Sequence, residues 1–373
     1  MTIVPPGPGE ALLRAARTTD TPALLYDLDA VTATVRELRE DLSVLPDPVL
    51  LLALKANRFP PLLRHLAGLG VGADVASPAE WRAARDAGMD PVSATGPGLT
   101  GAELAAMAAE GALVDVDGVD QLRALFAARP APAEIGLRLR VPMAEQDRTS
   151  GRRASRFGVD PADPALHRAL ADTGARVVRL HVHSGEIATP DRADLLASAL
   201  LACLRVFPHV RELNLGGGLT TLYTDRQRAR QAWKRVAERL AGTPVRVLVE
   251  PGMLTTALAG YLVVSLRSVG RLPGGPGYAV ADASGWNLFT WGSPRVVARL
   301  PERDGPARPH LIGGVTCYEN DVLAEDVALA DPRPGDRLVF NAAGAYTAAM
   351  ARDLHGWGPP REDVVHTDGR RST

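Results

Sequence analysis

Short apolar runs alternate regularly with longer amphipathic segments along this chain. Eight of the runs are interpreted as β-strands, and they cover residues 49–56, 71–76, 91–96, 112–117, 135–141, 177–184, 212–218 and 245–252. Segments long enough for crossover helices lie between them, among them residues 78–88, 101–111, 192–207 and 225–241. Eight parallel strands with helical connections predict a closed (β/α)8 barrel. An open doubly wound sheet is less compatible, because no glycine-rich turn follows the first strand.

The pattern changes after residue 252. Residues 261–340 read as strands separated by turn signals at 273–277, 303–306 and 334–336, without a long helical pattern between them. Residues 21–27 form another predicted strand, and a predicted helix follows at 29–42. We therefore expect an α/β fold in which a TIM-type barrel, residues 26–255, is combined with a second, antiparallel β domain built from residues 1–25 and 256–373.

Composition and charge exclude several classes of protein. The chain has 373 residues, of which 46% are hydrophobic and 23% charged, and it can bury a large core. A net charge of -1 provides no basic excess for a nucleic-acid partner. Residues 1–10 lack the apolar core of a signal peptide and no apolar run reaches the length of a membrane span, which predicts a cytoplasmic protein without a membrane partner. Cys203 and Cys317, the only cysteines, are expected to be free thiols, and no metal site is predicted.

Reactive side chains and glycines recur where the predicted barrel strands end, and the carboxyl ends of barrel strands share one mouth. Lys55 ends the first strand, where a desolvated amine can act as a nucleophile and form a Schiff base. Gly216-Gly217-Gly218 follows the seventh strand, where exposed backbone N–H groups can bind a phosphate. Asp74, His183 and Glu250 lie in the second strand and at the ends of the sixth and eighth strands. A strand exit, a flexible turn or a core side chain could explain each feature separately, but their shared location favours a functional site.

An amine, a phosphate cradle, an imidazole and a carboxylate around one mouth are the parts that a pyridoxal 5'-phosphate (PLP) site requires. In this combination the chain resembles the fold-type III PLP-dependent decarboxylases that act on diaminopimelate and ornithine, and it is similar in predicted fold to alanine racemase and ornithine decarboxylase. The motifs that carry the resemblance follow the order of that family between about residue 21 and residue 346. They are Ala53-Leu54-Lys55-Ala56-Asn57, Gly72-Ala73-Asp74-Val75-Ala76-Ser77-Pro78-Ala79-Glu80, Arg156-Phe157-Gly158, His181-Val182-His183, Leu215-Gly216-Gly217-Gly218, Glu250-Pro251-Gly252, Cys317-Tyr318-Glu319-Asn320-Asp321 and Gly344-Ala345-Tyr346.

The resemblance implies a role for each residue of the cofactor site. Lys55 would form the Schiff base with PLP, His183 would stack on the face of its ring, and Glu250 would keep the pyridine nitrogen protonated. Asp74 would also contribute to cofactor binding. The phosphate would be bound by backbone amides and one hydroxyl, supplied by Gly217, Gly218, Gly252 and Tyr346.

The resemblance also implies a homodimer with two shared active sites. Cys317 of one subunit would protonate the substrate carbon after loss of CO2 in the barrel of the other subunit. Arg156 and Asp321 would form an ion pair across the interface and hold the cysteine loop in register. An ordinary surface arginine is the alternative for Arg156.

Several positions depart from the family pattern. Tyr318 stands where enzymes acting on free diamino acids have an acid directly after the cysteine, unless Glu319 takes over that role. Met253 replaces an arginine after Glu-Pro-Gly, and Glu186 adds a carboxylate near the expected phosphate. Residues 353–356 replace a segment that carries Asn-Gly in the family. These departures predict an altered substrate pocket around retained cofactor chemistry.

Tyr318, Glu319 and Asp321 are accordingly predicted to bind the substrate. The expected activity is decarboxylation of an amino acid or amino-acid conjugate in a specialised pathway, such as one leading to a siderophore or an antibiotic. A diaminopimelate decarboxylase of lysine biosynthesis and a PLP-dependent amino-acid racemase are the alternatives, although a racemase requires acid–base groups on both faces of the substrate carbon. A catalytically silent binding paralogue would be expected to lack Lys55 or Cys317, and both are present.

Overall fold

The computed structural model of this chain describes residues 7–128, 130–140 and 155–366, and these residues divide into two compact units. Val35–Leu254 belongs to the first unit, and the described residues on either side of it belong to the second. The predicted barrel limits, residues 26 and 255, differ from this division mainly at the N-terminal side, because the strand Ala23–Asp27 and the first part of the next helix group with the second unit. The extent of the functional domains stays a prediction.

Eight parallel strands form the closed barrel that the alternation of runs predicted. Helix α1 (Glu10–Thr18), strand β1 (Ala23–Asp27) and helix α2 (Leu28–Leu42) precede them in the chain. The barrel strands are β2 (Val49–Ala53), β3 (Gly72–Val75), β4 (Val92–Thr95), β5 (Leu113–Val116), β6 (Glu134–Arg138), β7 (Arg176–His181), β8 (Glu212–Asn214) and β9 (Arg246–Val249). Pairing of β9 with β2, where Leu248 lies opposite Val49, closes the barrel. The number and order of strands are confirmed, but most predicted strands extend too far at their carboxyl ends; residue 141 lies outside the described residues.

Helices follow the barrel strands, and five of them begin after a residue whose side chain accepts a hydrogen bond from the first helical turn. They are α3 (Pro60–Gly68), α4 (Pro78–Asp86), α5 (Gly101–Ala109), α6 (Val119–Ala127), α7 (Pro164–Thr173), α8 (Pro190–Cys203), α9 (Arg226–Leu240) and α10 (Gly252–Thr256). The Ser77 hydroxyl accepts a hydrogen bond from the backbone of Glu80, and Thr100 forms a capping box with Glu103. Such caps satisfy N–H groups that the first helical turn leaves unpaired, and they help to fix where these five helices start.

The second unit contains an eight-stranded sheet that includes β1. Its other strands are β10 (Gly260–Arg271), β11 (Gly277–Ala281), β12 (Val296–Leu300), β13 (Arg308–Gly313), β14 (Val322–Leu329), β15 (Arg337–Phe340) and β16 (Arg361–Val365). They lie in the order β12-β15-β10-β11-β13-β14, and β1 pairs with both β10 and β16. Most pairs are antiparallel as predicted. The pairs β1–β16 and β11–β13 are parallel, which is possible because each joins strands that are not neighbours in sequence and are not linked by a tight hairpin.

Helix α1, which the sequence pattern did not predict, packs on the second sheet. Leu12 and Ala16 of α1 are buried in one cluster with Leu25 of β1, Val263 of β10 and Val339 of β15. The N-terminal residues thus complete the core of this sheet, which agrees with the expectation that they join the β-rich part of the chain. Within the three described ranges, no helix has both the length and the apolar character needed to cross a membrane.

Candidate active site

Lys55 stands on a short 3-10 turn, Leu54–Ala56, that directly follows β2. Leu54 and Ala56 are buried, whereas the side chain of Lys55 is exposed. The expectation of a desolvated amine at the end of a buried strand is therefore wrong for this chain, because the turn lifts Lys55 out of the strand. The only other lysine of the chain, Lys234, lies on α9 with its side chain 75% exposed.

His183 lies just beyond the end of β7 and is tied to the glycine turn that follows β8. The backbone N–H of Gly217 donates to Nδ1 of His183 over 3.2 Å, so the proton of the neutral ring lies on Nε2. Burial, with the added positive charges of Lys55 and Arg138, lowers the pKa of His183 to about 3. The imidazole is therefore neutral at physiological pH, and the backbone fixes its tautomer.

The glycine turn after β8 requires glycine for both conformation and space. Gly216 and Gly218 have φ angles of 71° and 78°, in the left-handed region that other residues rarely adopt. A Cβ atom on Gly217 would lie 2.5 Å from the backbone oxygen of Glu250. Among the described residues, the N–H of Gly218 donates to no acceptor, whereas the N–H of Gly217 is used by His183. The predicted phosphate contact of Gly217 is thus not supported, and Gly218 offers the available donor.

Glu250 is buried directly after β9 and is held by side chains at the ends of two neighbouring strands. Nδ2 of Asn214 donates to Oε1 of Glu250, and Nε2 of His181 lies 3.7 Å from its Oε2. Oδ1 of Asn214 also accepts the N–H of Gly216 over 2.9 Å. The carboxylate and the glycine turn therefore share one network. Neither His181 nor Asn214 was predicted as a site residue, although their positions as the last residues of β7 and β8 were a usable signal.

A further group of buried charges orients His181 inside the barrel. Oδ2 of Asp115 lies 3.0 Å from Nδ1 of His181, and Arg179 lies 3.6 Å from the other oxygen of Asp115. Burial favours a raised pKa for Asp115, but Arg179 and His181 together hold it below its ordinary value. Asp115 therefore stays a carboxylate. Gly136 leaves room for it, because a Cβ atom there would overlap its Oδ1.

Asp74, in β3, is buried with an oxygen that lacks a partner. Its Oδ1 makes no hydrogen bond to any described residue, and the same holds for Nε2 of His181. Burial and the negative charge of Glu250 raise the pKa of Asp74 well above its ordinary value, against the opposing charge of Lys55. Buried polar atoms without partners are rare in folded proteins, so these two atoms indicate a place for a polar group from outside the chain.

Asp321, in the second unit, organises the loop that carries Cys317. Its buried carboxylate accepts the hydroxyl of Ser284 (3.0 Å) and the N–H of Gly285 (2.6 Å) at Oδ1, and the N–H (3.0 Å) and hydroxyl (2.6 Å) of Thr316 at Oδ2. Four donors use the acceptor capacity of a carboxylate. The oxygens of Asp321 therefore have partners within their own unit, and its predicted roles in substrate binding and in an ion pair between subunits stay predictions.

The residues after the cysteine present an aromatic surface. Cys317 is exposed, and Tyr318 beside it is 50% exposed. The Tyr318 ring contacts Trp286, with centroids 5.1 Å apart, and His355, with centroids 5.2 Å apart. Glu319 is exposed. The position directly after the cysteine thus carries a ring that is held by two other rings.

Two further residues of the expected site, Tyr346 and Glu186, are each held by a contact within the chain. Tyr346 has a φ angle of 64°, which is unusual for a bulky residue, and its ring packs on Phe289 with centroids 5.1 Å apart. Oε2 of Glu186 accepts the backbone N–H of Thr221 over 3.0 Å. Glu186 therefore braces the segment that follows the glycine turn. Met253 lies on α10 and is partly buried.

The chain is similar to proteins of one enzyme family. Residues 28–257 match the family model "Pyridoxal-dependent decarboxylase, pyridoxal binding domain". The chain is 30% identical over 404 residues to a diaminopimelate decarboxylase of Actinosynnema pretiosum subsp. auranticum, with 98% of this chain and 91% of that protein covered. It is 29% identical over 354 residues to a diaminopimelate decarboxylase of Deinococcus radiodurans, with 91% and 89% covered.

Solved structures of similar proteins share the fold. A diaminopimelate decarboxylase from M. jannaschii in complex with L-lysine superposes with a TM-score of 0.83 at 20% identity, covering 97% of this chain and 92% of that one. A lysine/ornithine decarboxylase from Vibrio vulnificus in complex with putrescine gives a TM-score of 0.78 at 23% identity, covering 94% and 96%. Since the family model spans more than half of the chain and a relative at 30% identity spans nearly all of it, the chain belongs to the pyridoxal-dependent decarboxylases and is a PLP-dependent amino-acid carboxy-lyase.

Proposed function

We propose that this enzyme decarboxylates an amino acid, or an amino-acid conjugate, whose side chain does not end in a free ammonium group. The observation that carries the proposal is Tyr318, which follows Cys317 directly and packs between two other aromatic side chains, Trp286 and His355. A free ammonium group entering a binding pocket needs a carboxylate or a ring of acceptors to replace its hydration. The rings of Trp286, Tyr318 and His355 supply an apolar surface instead.

The residues of the barrel mouth fit PLP. The exposed amine of Lys55 can react with the aldehyde of PLP. The unpaired Oδ1 of the buried Asp74 can bind a polar substituent or the nitrogen of the ring, and the available N–H of Gly218 can bind the phosphate. Lys55 would hold the cofactor covalently, and His183 would lie against the ring. Gly218, Gly252 and Tyr346 would bind the phosphate. When bound, PLP withdraws electrons from the substrate carbon that loses CO2.

Glu250 would hold a proton at the pyridine nitrogen, and the chain fixes the carboxylate for that task. Asn214 and His181 approach its two oxygens, and the carboxylate of Asp115 orients His181 in turn. The neutral imidazole of His183 adds no charge beside the ring, because its pKa is about 3. Cys317 would donate its thiol proton to the substrate carbon from which CO2 has left.

Diaminopimelate decarboxylation is the second candidate function. It is favoured by the relatives, since the proteins from Actinosynnema pretiosum and Deinococcus radiodurans are both diaminopimelate decarboxylases. Glu319, which is exposed beside Tyr318, is the residue that could hold a distal ammonium in that case. The relatives give no support to a siderophore- or antibiotic-like pathway, so that part of the interpretation rests on the altered pocket alone.

We also propose a homodimer in which Cys317 of one subunit serves the barrel of the other. The proposal rests on the family resemblance. The ion pair expected to hold that interface stays a prediction. Within one subunit, Asp321 accepts four hydrogen bonds and the guanidinium of Arg156 lies 4.2 Å from the ring centre of Phe157. The cysteine loop is thus also held by contacts within its own unit.

A matched pair of substrates tests the substrate proposal. CO2 release would be measured with meso-diaminopimelate and with the same compound acetylated at the distal amine, and chiral chromatography would be run in parallel to detect epimerisation. We expect the acetylated compound to react faster by about tenfold or more. In Tyr318→Glu, where the acid is restored, this preference should reverse. Faster turnover of free meso-diaminopimelate by the unaltered enzyme would refute the proposal.

A further inference from the structure

Cys317 has an imidazole neighbour that no predicted role includes. The sulfur of Cys317 lies 4.0 Å from Nε2 of His355, within the range of a hydrogen bond to sulfur. His355 occupies a tight turn in which the N–H of Trp357 donates to the carbonyl of Leu354 over 2.9 Å. The turn therefore presents the ring nitrogen directly to the thiol.

The backbone of this turn does not favour histidine. His355 and Gly356 have φ angles of 56° and 79°, the pair of left-handed residues that two-residue turns build from Asn-Gly or Gly-Gly. A side chain in this region costs roughly 1 kcal/mol relative to glycine. Asparagine would suit the turn better than histidine. The turn alone therefore does not explain the imidazole, whereas its contact with the thiol does.

Neighbouring side chains hold the imidazole in place. The His355 ring packs against Tyr318, with centroids 5.2 Å apart, and Tyr318 packs against Trp286 in turn. Asn287 fixes the approach to the turn, because its side chain donates to the carbonyl of Arg352 and accepts the N–H of the same residue, both over 2.9 Å. Two independent supports thus set the distance between sulfur and nitrogen.

We propose that His355 is the proton-transfer partner of Cys317 and returns a proton to the sulfur in each catalytic cycle. This inference rests on the proposed donor role of Cys317. The thiol S–H bond breaks as the new C–H bond forms on the substrate carbon, which leaves a thiolate. The Nε2–H bond of protonated His355 then breaks as the S–H bond re-forms, and the neutral imidazole takes a proton from water. One solvent proton is consumed for each CO2 released, as the overall reaction requires.

Two substitutions remove the imidazole while keeping the turn. His355→Asn and His355→Gly both tolerate a positive φ angle, and the glycine variant leaves space for imidazole from the buffer. We expect kcat to fall by about 10²-fold in both variants. Added imidazole should raise kcat of the glycine variant at least tenfold and should leave kcat of the unaltered enzyme unchanged. A purely structural role of His355 would not respond to imidazole.

The rate at which the Cys317 thiol is alkylated provides a measurement that does not depend on turnover. The holoenzyme would be treated with iodoacetamide at pH 7, and modification of the Cys317 peptide would be timed by mass spectrometry, with the buried Cys203 as internal reference. Modification of Cys317 should slow several-fold in His355→Asn, because the imidazole no longer accepts the thiol proton. Unchanged modification, or a loss of turnover that imidazole does not rescue, would overturn the inference. Cys317→Ser separates the two proposals: if it retains full turnover, the donor role of Cys317 fails, and if it is inactive while His355→Asn is unaffected, only the role of His355 fails.

Discussion

At the scale of single residues, the attachment of the cofactor can be tested with an internal control, because the chain has only two lysines, Lys55 and Lys234. Borohydride reduction of the holoenzyme should fix the cofactor to the Lys55 peptide alone. Lys55→Ala should lose the visible absorbance of bound PLP and reduce CO2 release to background, with an unchanged far-UV circular dichroism spectrum. Lys234→Ala should behave as the unaltered enzyme, since Lys234 is 75% exposed on α9. If reduction attached the cofactor to Lys234, or if Lys55→Ala kept full activity, Lys55 would have no part in the mechanism.

His183 predicts a distinct dependence of stability on pH. Its pKa is about 3 in the folded chain and about 6.5 when unfolded. The unfolded chain therefore binds a proton that the folded chain does not, and stability falls as pH drops from about 6.5 toward 3. His183→Asn, whose amide oxygen can still accept the N–H of Gly217, removes this contribution. Between pH 7 and pH 4.5 the unaltered chain should lose roughly 2 kcal/mol more than the variant in urea unfolding. Equal losses would show that His183 titrates normally.

At the scale of elements, the cysteine loop depends on one carboxylate. Asp321 accepts four hydrogen bonds within its own unit, so its removal leaves buried donors unpaired. Asp321→Ala should lower the free energy of unfolding by about 3 kcal/mol, measured by urea denaturation. The matched control is the exposed Glu319→Ala, which should change it by less than about 0.5 kcal/mol. A loss in Asp321→Ala no larger than that of the control would contradict this account of the loop.

The barrel strands were predictable because their apolar runs are short, regularly spaced and separated by helical patterns. The ends of the strands were not, since an apolar residue such as Leu54 fits a buried turn as well as a strand. The same limit applies to the site. Glycines and charged residues at strand ends indicated the position of the active site. The partners that fix these residues, such as Asn214 for Glu250 and Asp115 for His181, depend on contacts between strands that are distant in sequence. The donors around Asp321 were not predictable for the same reason, because a sequence does not show which groups will surround a carboxylate.

At the scale of the whole molecule, Lys55 and Cys317 are proposed to act on one substrate and to come from different subunits. Mixed dimers provide the test of this claim. The variants Lys55→Ala and Cys317→Ala would be co-expressed with different tags, and the mixed dimers would be purified through both tags and assayed for CO2 release. One of the two sites in each mixed dimer would then keep both residues, so about half of the wild-type activity per dimer is expected, while each parent homodimer stays inactive. Mixed dimers as inactive as the parents would contradict the claim.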